Sequence, residues 1–387
     1  MKQGATQSDG HQLWFIAAFA FGLHGRTLAQ WTAIDLNGSG LTSSQVNAVV
    51  PGMQAGSALG FGNGDHAILW SGSSSGWMDL TPTGASADVY GMTPTQQVGS
   101  FRVPAGLHAA IWSGSPQTLI DLGFAAGRTG ASLNATDGQE QVGRADTAAY
   151  LWHGTAGSAV SLHPAGAALS NALAVADGHE GGWIQLTNGS GPYHAALWSG
   201  SAASFVDMNG AFLESQVLGM AAGQQVGWAR PFGAGGPYAI VWNGTAASAV
   251  NFNPPGAGTS TLWATCGSAQ AGSAPFAGFG GDAGIWFGTP GSFVDLAAFL
   301  PAGMFYNSAA TCIAEQNGVY YVGGYASPAA GGGNHAFLWI GVPSPGAGMI
   351  LALGCAVFAH RHRRSRRAVH TATGTQRGHD GPSGLGV

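Results

Sequence analysis

Charged side chains are scarce in this sequence. They make up 7% of its 387 residues, whereas about a quarter of the residues in an ordinary soluble domain are charged. The single lysine is Lys2, and glutamate occurs at only four positions. Long solvated helices are rich in both residues, so the composition disfavours them. The surface must instead be covered by small polar side chains and by backbone.

Positive charge is almost absent from residues 30–341. This stretch has four arginines, no lysine and fifteen acidic residues, which gives a formal net charge of −11. Contacts with nucleic acid need clustered lysine and arginine, so we expect no nucleic-acid partner for this part of the chain. Other arginines cluster near the C-terminus, at Arg361, Arg363, Arg364, Arg366 and Arg367.

Glycine, in contrast, is abundant, with 66 residues. Each glycine in a helix interior costs about 1 kcal/mol relative to alanine, and glycine recurs on average every few residues along the sequence. A helical bundle and a doubly wound α/β fold are therefore disfavoured. The length allows one large all-β domain or two ordinary domains.

Seven copies of one short motif divide the middle of the chain. Each copy has an apolar pair, a tryptophan, any residue and a glycine. The tryptophans recur on average about every 45 residues, a period typical of propeller blades. They are Trp70, Trp112, Trp152, Trp198, Trp242, Trp286 and Trp339.

Three other elements keep phase with the tryptophan motif. A Val-x-Gly-Met step, as at 89–92, and a Gln-x-Gly step, as at 97–99, precede it, and an Asp-Leu step, as at 79–80, follows it. Each unit therefore has four short apolar runs separated by turn-forming residues, and such runs are typical of strands. In chain order we name them strands a, b, c and d.

Seven units of four strands predict an all-β fold, a seven-bladed β-propeller of four-stranded blades over residues 30–341. Strand a is expected to line the central channel. The two ends of this region give separate support, because residues 31–36 form an unmatched strand d and residues 335–341 an unmatched strand c. Pairing of the N-terminal with the C-terminal strand would close the ring and remove exposed sheet edges.

The repeats resemble the HAF family of bacterial extracellular repeats, which have His-Ala-x-Leu-Trp and a Gln-x-x-Gly-like step as their signature. Matching boxes begin at His66, His108, His194 and His335. The resemblance covers about 310 residues. It implies an extracellular repeat protein and carries no implication about chemistry.

The first 29 residues read as a secretory signal peptide. Lys2 is followed by a polar stretch, an apolar run over 13–23 and small residues before Gln30, the order found in signals that signal peptidase removes. The alternative is a buried element of the fold, which the absence of a matching run in the repeats disfavours. We therefore expect an exported protein that begins at Gln30.

The C-terminal part of the chain resembles the PEP-CTERM sorting signal of exported bacterial proteins over residues 342–367. A Val-Pro-x-Pro-Gly box precedes an apolar segment, 347–359, and an arginine cluster; the matching residues are Val342, Pro343, Pro345, Gly346, Arg363, Arg364, Arg366 and Arg367. The resemblance implies an exosortase-type processing enzyme as a partner. It also implies retention in the inner membrane before processing, and then release to the cell envelope or outside.

The apolar segment 347–359 is short for a permanent anchor. Thirteen residues span about 20 Å as a helix, against about 30 Å of hydrocarbon, which favours transient membrane association. An ordinary short membrane anchor is the alternative. A tail, 368–387, follows the arginines, where the family signal normally ends. We interpret the tail as disordered, and it leaves cleavage of the segment open.

Two cysteines, Cys266 and Cys312, lie in the expected propeller, while Cys355 falls in the apolar segment 347–359. Both follow Ala-Thr in what we interpret as strand a of neighbouring blades, where blades come closest. A disulfide between them is one expectation, worth about 4 kcal/mol in the chain-entropy model. Two buried thiols are the other.

No catalytic, cofactor-binding or metal-binding residues stand out in the sequence. It has no phosphate-binding loop, and residues 30–341 have no His-x-His or paired-cysteine spacing. We interpret the repeated histidines as packing or turn residues and the repeated aspartate of strand d as a turn former. The expectation is a protein that is not an enzyme and has no cofactor.

The expected function is therefore that of an exported, cell-surface or matrix-associated, non-catalytic propeller, either structural or binding a glycan or protein through its loops. Loop aromatics such as Trp183, Tyr193 and Trp228 could stack on sugars, although core packing is the alternative for each. A polysaccharide hydrolase or lyase with carboxylates in the central channel is the alternative function. Glycoside hydrolysis needs two carboxylates, which here would have to come from the strand a positions that line the channel. Asp88 is close to one of these positions.

Overall fold

The computed structural model describes residues 30–342 except 63, 125–127, 188–190, 234 and 277–280. The expected signal peptide, nearly all of the sorting segment and the tail 368–387 lie outside the described residues. Of the sorting motif only Val342 is described, as the last residue of a strand. No helix in the described part of the chain is long and apolar enough to cross a membrane.

The described chain forms seven antiparallel sheets of four strands each, which confirms the expected seven-bladed propeller. The first strand, Gln30–Asp35 (β1), belongs to the last blade. Blade 1 consists of Ser43–Val50 (β2), Met53–Leu59 (β3), His66–Trp70 (β4) and Trp77–Asp79 (β5). Blade 2 consists of Ser86–Met92 (β6), Gln97–Val103 (β7), Gly106–Trp112 (β8) and Ile120–Gly123 (β9).

The next four blades repeat this order. Blade 3 consists of Ala131–Thr136 (β10), Gln141–Ala145 (β11), Ala148–Trp152 (β12) and Val160–Ser161 (β13). Blade 4 consists of Leu169–Ala176 (β14), His179–Gln185 (β15), Tyr193–Trp198 (β16) and Val206–Asp207 (β17). Blade 5 consists of Phe212–Ala221 (β18), Gln224–Pro231 (β19), Tyr238–Trp242 (β20) and Val250–Asn251 (β21). Blade 6 consists of Thr261–Thr265 (β22), Gln270–Ser273 (β23), Ala283–Trp286 (β24) and Val294–Asp295 (β25).

Blade 7 joins the two ends of the propeller. It consists of Phe305–Gln316 (β26), Val319–Pro328 (β27), His335–Val342 (β28) and β1. The helical segments among the described residues are single 3₁₀ turns, at Pro116–Thr118, Ala156–Ser158, Ala202–Ser204, Ala246–Ser248, Pro290–Ser292 and Ala297–Phe299.

The tryptophan of strand c forms the core between blades. All seven repeat tryptophans are 0% exposed. Trp70 packs in one cluster with Leu338 of blade 7 and with Leu36, which follows β1, and its indole N–H donates to the Leu36 carbonyl over 3.1 Å. Since one such side chain buries about 150–250 Å², each blade is stabilised by its neighbour rather than by its own two faces.

The glutamine of the Gln-x-Gly step holds the turn that follows strand c. In five blades its side-chain oxygen accepts a hydrogen bond of 2.7–3.1 Å from the backbone N–H of the motif glycine. The pairs are Gln54–Gly72, Gln97–Gly114, Gln141–Gly154, Gln225–Gly244 and Gln270–Gly288. In blade 4 a glutamate, Glu180, replaces the glutamine and accepts from Gly200 over 3.0 and 3.1 Å.

The innermost strands crowd together around the axis, and this explains the glycine of the Val-x-Gly-Met step. At Gly219 of β18 an added Cβ would lie 2.7 Å from the backbone oxygen of Trp263 in the next blade. A larger side chain there would push the two blades apart. The sequence therefore has glycine at this position because the backbone of the neighbouring blade occupies the space of a side chain.

The ring closes through β1 and β28, as predicted. The two strands pair antiparallel, from Gln30 opposite Val342 to Asp35 opposite Phe337. The indole of Trp31 lies over Gly341, where any Cβ would collide with it, and is 6% exposed. The chain thus joins residues about 300 positions apart in the sequence into one sheet.

The disulfide expected between Cys266 and Cys312 is not formed, because both are free cysteines in the structure. A β-bulge in each strand a puts the two Ala-Thr-Cys segments out of phase: the unpaired residue is Trp263 in β22 and Thr311 in β26. Cys312 consequently lies within β26, where burial raises the pKa of its thiol to about 12. Cys266 lies one residue beyond the end of β22.

Replacement of the closing tryptophan should destabilise the ring. Trp31→Ala is expected to lower the free energy of unfolding by about 3–5 kcal/mol, the usual cost of deleting a large buried aromatic side chain. Trp263→Ala is the matched control, because that indole is 41% exposed and its loss should cost about 0.5 kcal/mol. Urea unfolding measures both, and equal losses would contradict the closing role of Trp31.

Replacement of the buried glutamate should stabilise the protein at neutral pH. Burial raises the pKa of the Glu180 carboxyl, and the nearby Glu140 raises it further. Ionisation of Glu180 therefore has a cost in the folded state that is absent below the unfolded-state pKa and complete above the folded-state pKa.

Glu180→Gln is accordingly expected to change stability little in acid and to raise the free energy of unfolding by on the order of 1 kcal/mol at neutral pH. The measurement is urea unfolding at both pH values. The reverse exchange in blade 3, Gln141→Glu, is the control and should lose stability at neutral pH. A gain from Glu180→Gln that does not depend on pH would argue against ionisation as its cause.

Candidate functional site

A cavity of about 550 Å³ lies at the centre of the ring. The innermost strands of all seven blades line it, which confirms that strand a faces the channel. None of its lining residues carries a charged side chain. The central cavity is therefore neutral, in a chain whose propeller has a strongly negative net charge.

One unpaired residue from each blade points to this cavity. Every strand a contains a β-bulge at the same place, where the pairing with strand b skips one residue. We call the seven skipped residues the bulge ring: Asn47, Tyr90, Asn134, Leu173, Leu218, Trp263 and Thr311. All seven line the central cavity.

The bulge ring has two chemically different halves. Four consecutive blades contribute polar side chains, in the order Thr311, Asn47, Tyr90 and Asn134, and the other three contribute Leu173, Leu218 and Trp263. The polar half is held in place by hydrogen bonds to the next blade. The Nδ2 of Asn47 donates to the Val89 carbonyl over 2.8 Å, and the Nδ2 of Asn134 donates to the Ala172 carbonyl over 2.8 Å.

A second cavity, of about 450 Å³, adjoins the polar half of the bulge ring. It shares Tyr90 and Asn134 with the central cavity and extends between blades 1 to 4. We call it the polar cleft; its lining residues with ionisable side chains are Asp65, Asp88, Tyr90, Arg102 and Arg144. Charged side chains are 7% of the whole chain but make up four of the eleven residues that line this cleft.

Asp88 is the carboxyl group of the cleft with the most perturbed ionisation. Burial raises the pKa of Asp88, and the negative charge of Asp65 raises it further, while hydrogen bonds from the hydroxyls of Ser57 and Tyr90 lower it. Burial and the charge of Asp88 in turn raise the pKa of Tyr90 to about 12. Asp65 precedes β4 in blade 1 and Asp88 lies on β6 in blade 2, so a blade boundary brings the two acids together.

The two arginines of the cleft have no acidic partner. No ion pair joins Arg102 or Arg144 to Asp65 or Asp88 among the described residues. The other arginines of the propeller are engaged: Arg230 contacts Glu214 over 2.6 Å, and Arg128 lies over the ring of Tyr150. The cleft thus presents two acids and two guanidinium groups that form no ion pair with one another in the described part of the chain.

The repeated histidines and aspartates have structural roles. In four blades a histidine in the first half of strand c contacts the aspartate of strand d through Nδ1, over 2.8–3.0 Å. The same aspartates accept a hydrogen bond from the backbone N–H two residues further on, as Asp79 does from Thr81 over 2.8 Å. No three histidine, cysteine, aspartate or glutamate side chains in the described ranges form a group that could hold a metal ion.

The aromatic residues suggested by the sequence do not form a site. Trp183 and Tyr193 pack edge to face with ring centroids 4.9 Å apart, and both are half-buried, as is Trp228. The exposed tryptophan of the channel is instead Trp263. Sequence reasoning identified Asp88 and missed Asp65, Arg102, Arg144 and Trp263. An alignment of the seven a strands could have indicated Trp263, because it stands where the other blades have Asn, Tyr, Leu or Thr.

No known family model matches this sequence, and no curated protein sequence matches it. Among solved structures, the chain is similar to the β-propeller domain of the Trilobed protease from Pyrococcus furiosus, with a TM-score of 0.50 and 9% identity over 77% of this chain and 94% of that one. That domain is described as having an open velcro topology, whereas β1 and β28 close the ring here. At this identity the likeness establishes the fold.

Two further similar structures are longer peptidases. Puromycin hydrolase aligns with a TM-score of 0.49 and 10% identity over 76% of this chain and 53% of that one. A post-proline cleaving enzyme from Rickettsia typhi aligns with a TM-score of 0.47 and 8% identity over 76% and 53%. The chain spans about half the length of these two enzymes.

The first of these comparisons contradicts the expectation of a non-catalytic propeller that is not an enzyme, since the propeller that this chain resembles is a domain of a protease. That expectation relied on the absence of a catalytic motif in the linear sequence. It could not include pairs such as Asp65 and Asp88, which only the ring brings together. What the likeness shows is the fold, which this chain shares with the propeller domain of a protease.

Proposed function

We propose that the chain is a hydrolase that cleaves glycosidic bonds of a polysaccharide in the polar cleft. One observation carries this proposal: Asp88 is partly buried beside a second carboxylate, Asp65, in a cleft that adjoins the central cavity. Two carboxyl groups in different environments are the usual equipment of glycoside hydrolysis, where one gives a proton and the other acts at the anomeric carbon.

The two acids have distinct roles in this proposal. Because its pKa is raised, Asp88 holds its proton to higher pH than an exposed aspartate does, and it is the general acid that protonates the leaving oxygen. Asp65, which is exposed, acts as the nucleophile or as the base that activates water. The unpaired guanidinium groups of Arg102 and Arg144 hold an anionic group of the substrate.

The first test is removal of each carboxylate. Asp88→Asn and Asp65→Asn should each lower the rate of polysaccharide hydrolysis by at least about 100-fold, the usual minimum contribution of a catalytic acid or base. Release of reducing ends from neutral and acidic polysaccharides is the measurement. Asp121→Asn is the control, because Asp121 contacts His108 outside the cleft; activity equal to that of this control in either cleft variant refutes the assignment.

The second test is the pH profile. Loss of the Asp88 proton should end activity at high pH, so the alkaline limb reports the pKa of Asp88. Tyr90→Phe removes a hydrogen bond that lowers this pKa, and the alkaline limb should move to higher pH. In Asp65→Asn the pKa of the Asp88 carboxyl, followed by NMR, should fall because a neighbouring negative charge is lost. Shifts in the opposite directions would exclude Asp88 as the acid.

Peptide hydrolysis is a second candidate function. Its support is the likeness to the propeller domain of the Trilobed protease, at a TM-score of 0.50. In this case the channel would hold peptide for a catalytic domain on the same or another chain. Incubation with casein and short peptides, beside the polysaccharides, separates the two candidates by which bond is cleaved.

We propose further that the protein acts outside the cytoplasm, and the support is the order of sequence features at both ends. Signal peptidase should cut before Gln30, where β1 begins. The resemblance of 342–367 to a PEP-CTERM signal supports an exosortase-type enzyme as a partner and temporary attachment to the inner membrane through 347–359.

Export is tested by fractionating cells of the source organism and sequencing the N-terminus of the mature protein. The expected sequence begins at Gln30, and replacement of Arg363, Arg364, Arg366 and Arg367 by glutamine should change the amount held in the membrane fraction. A cytoplasmic protein that retains Met1 would contradict export.

A further inference from the structure

We propose that the central cavity binds a pyranose ring of the same polysaccharide, with the apolar face of the sugar on Trp263. This inference rests on the proposed glycoside hydrolase function, since it assigns the subsite that lies next to the cleft acids. A sugar here would be one unit along the chain from the bond that Asp88 and Asp65 cleave.

The size and charge of the cavity fit a sugar ring. A volume of about 550 Å³ falls within the range of about 300–1,000 Å³ that is usual for small-ligand sites. The lining has no charged side chain, so the cavity offers no counter-charge to a phosphate or to a peptide terminus. A neutral ring bordered by hydroxyl groups needs none.

The two halves of the bulge ring match the two surfaces of a pyranose. One face of a pyranose is a patch of C–H groups, and its rim carries hydroxyl groups. Trp263 supplies an aromatic surface for the C–H patch, and it is 41% exposed although all seven repeat tryptophans are fully buried. Leu173 and Leu218 extend this apolar wall over the two preceding blades.

The polar half of the bulge ring is fixed in advance to accept hydrogen bonds. The Nδ2 of Asn134 donates to the Ala172 carbonyl and, over 2.9 Å, to Asn171 Oδ1, which leaves its own Oδ1 to accept. The Nε2 of Gln45 donates to Asn47 Oδ1 over 3.0 Å, which leaves Gln45 Oε1 to accept. Sugar hydroxyl groups are donors of the required kind, and these acceptors lose little entropy on binding because they are already held.

The cavity and the cleft are neighbours. Tyr90 and Asn134 line both, and Asp88, two residues before Tyr90 on β6, lines the cleft. A ligand in the cavity and a ligand in the cleft would therefore contact the same two side chains. This shared boundary argues for an oligosaccharide chain, with one unit in each space, rather than for an isolated monosaccharide.

The test is binding of oligosaccharides to Asp88→Asn protein, which keeps the ligand intact. The probes are cellohexaose, xylohexaose, maltohexaose and hexagalacturonate, with a hexapeptide beside them, and titration calorimetry is the measurement. One of the sugars should bind, and Trp263→Ala should weaken that binding about tenfold or more. Trp263→Phe keeps an aromatic face and should stay within about threefold of the parent.

Phe232→Ala is the matched control. Phe232 is 72% exposed and does not line the central cavity, so its replacement should leave binding unchanged. The proposal is overturned if Trp263→Ala binds as tightly as the parent, if no sugar binds, or if the hexapeptide binds in place of the sugars. Circular dichroism and urea unfolding of each variant exclude misfolding as the cause of any loss.

Failure of the two proposals can be told apart. Sugar binding that depends on Trp263, without hydrolysis by the unmodified protein, would support the subsite and contradict the proposed hydrolase function. Hydrolysis that depends on Asp88 but has the same kcat/KM in Trp263→Ala as in the unmodified protein would support the hydrolase function and contradict the subsite.

Discussion

The pairing of β1 with β28 is the contact on which the rest of the molecule depends. Six blades are each made of one continuous stretch of chain, and the seventh exists only when residues from the two ends meet. Without that sheet, the Trp70 cluster of blade 1 would lose Leu36 and Leu338 from its neighbour. Since every blade is packed on the next, the closing pair completes the ring and so keeps the seven innermost strands around one centre.

The centre of the ring is formed by two opposing requirements. The innermost strands approach so closely that Gly219 has no space for a side chain, yet each strand also carries a bulge that turns one residue out of the sheet ladder. Crowding fixes the backbone, and the bulge releases one side chain per blade into the cavity. The polar cleft arises where this arrangement meets the blade boundary between Asp65 and Asp88.

The architecture could be predicted from the sequence because its signals are repeated. Seven buried tryptophans at a regular period, with a spare strand d before them and a spare strand c at the end, indicate both the blade number and the closure. A single bulge adds one residue to one strand and leaves no comparable signal. For this reason the two Ala-Thr-Cys segments look equivalent in the sequence, although Cys266 and Cys312 lie at different positions relative to the bulge of their strands.

The candidate site was predictable only in part. Asp88 could be assigned to strand a, but Asp65 lies before strand c of the preceding blade, so no counting of strand a positions reaches it. Arg102 and Arg144 come from the ends of two b strands and are brought to one cleft by the rotation between blades. Which residues of two neighbouring blades come together depends on that rotation. The repeat period of the sequence gives the number of blades but not the rotation between them.

The position of the bulge ring has a consequence for how such proteins diversify. A bulge side chain belongs neither to the ladder nor to the tryptophan core, so exchanging it leaves the scaffold's folding energy largely intact wherever it does not bridge to the next blade. Leu173, Leu218 and Trp263 make no such bridging hydrogen bond in the described structure. A lineage could therefore change which ligand the central cavity recognises through three nearly independent substitutions, while the propeller scaffold stays the same.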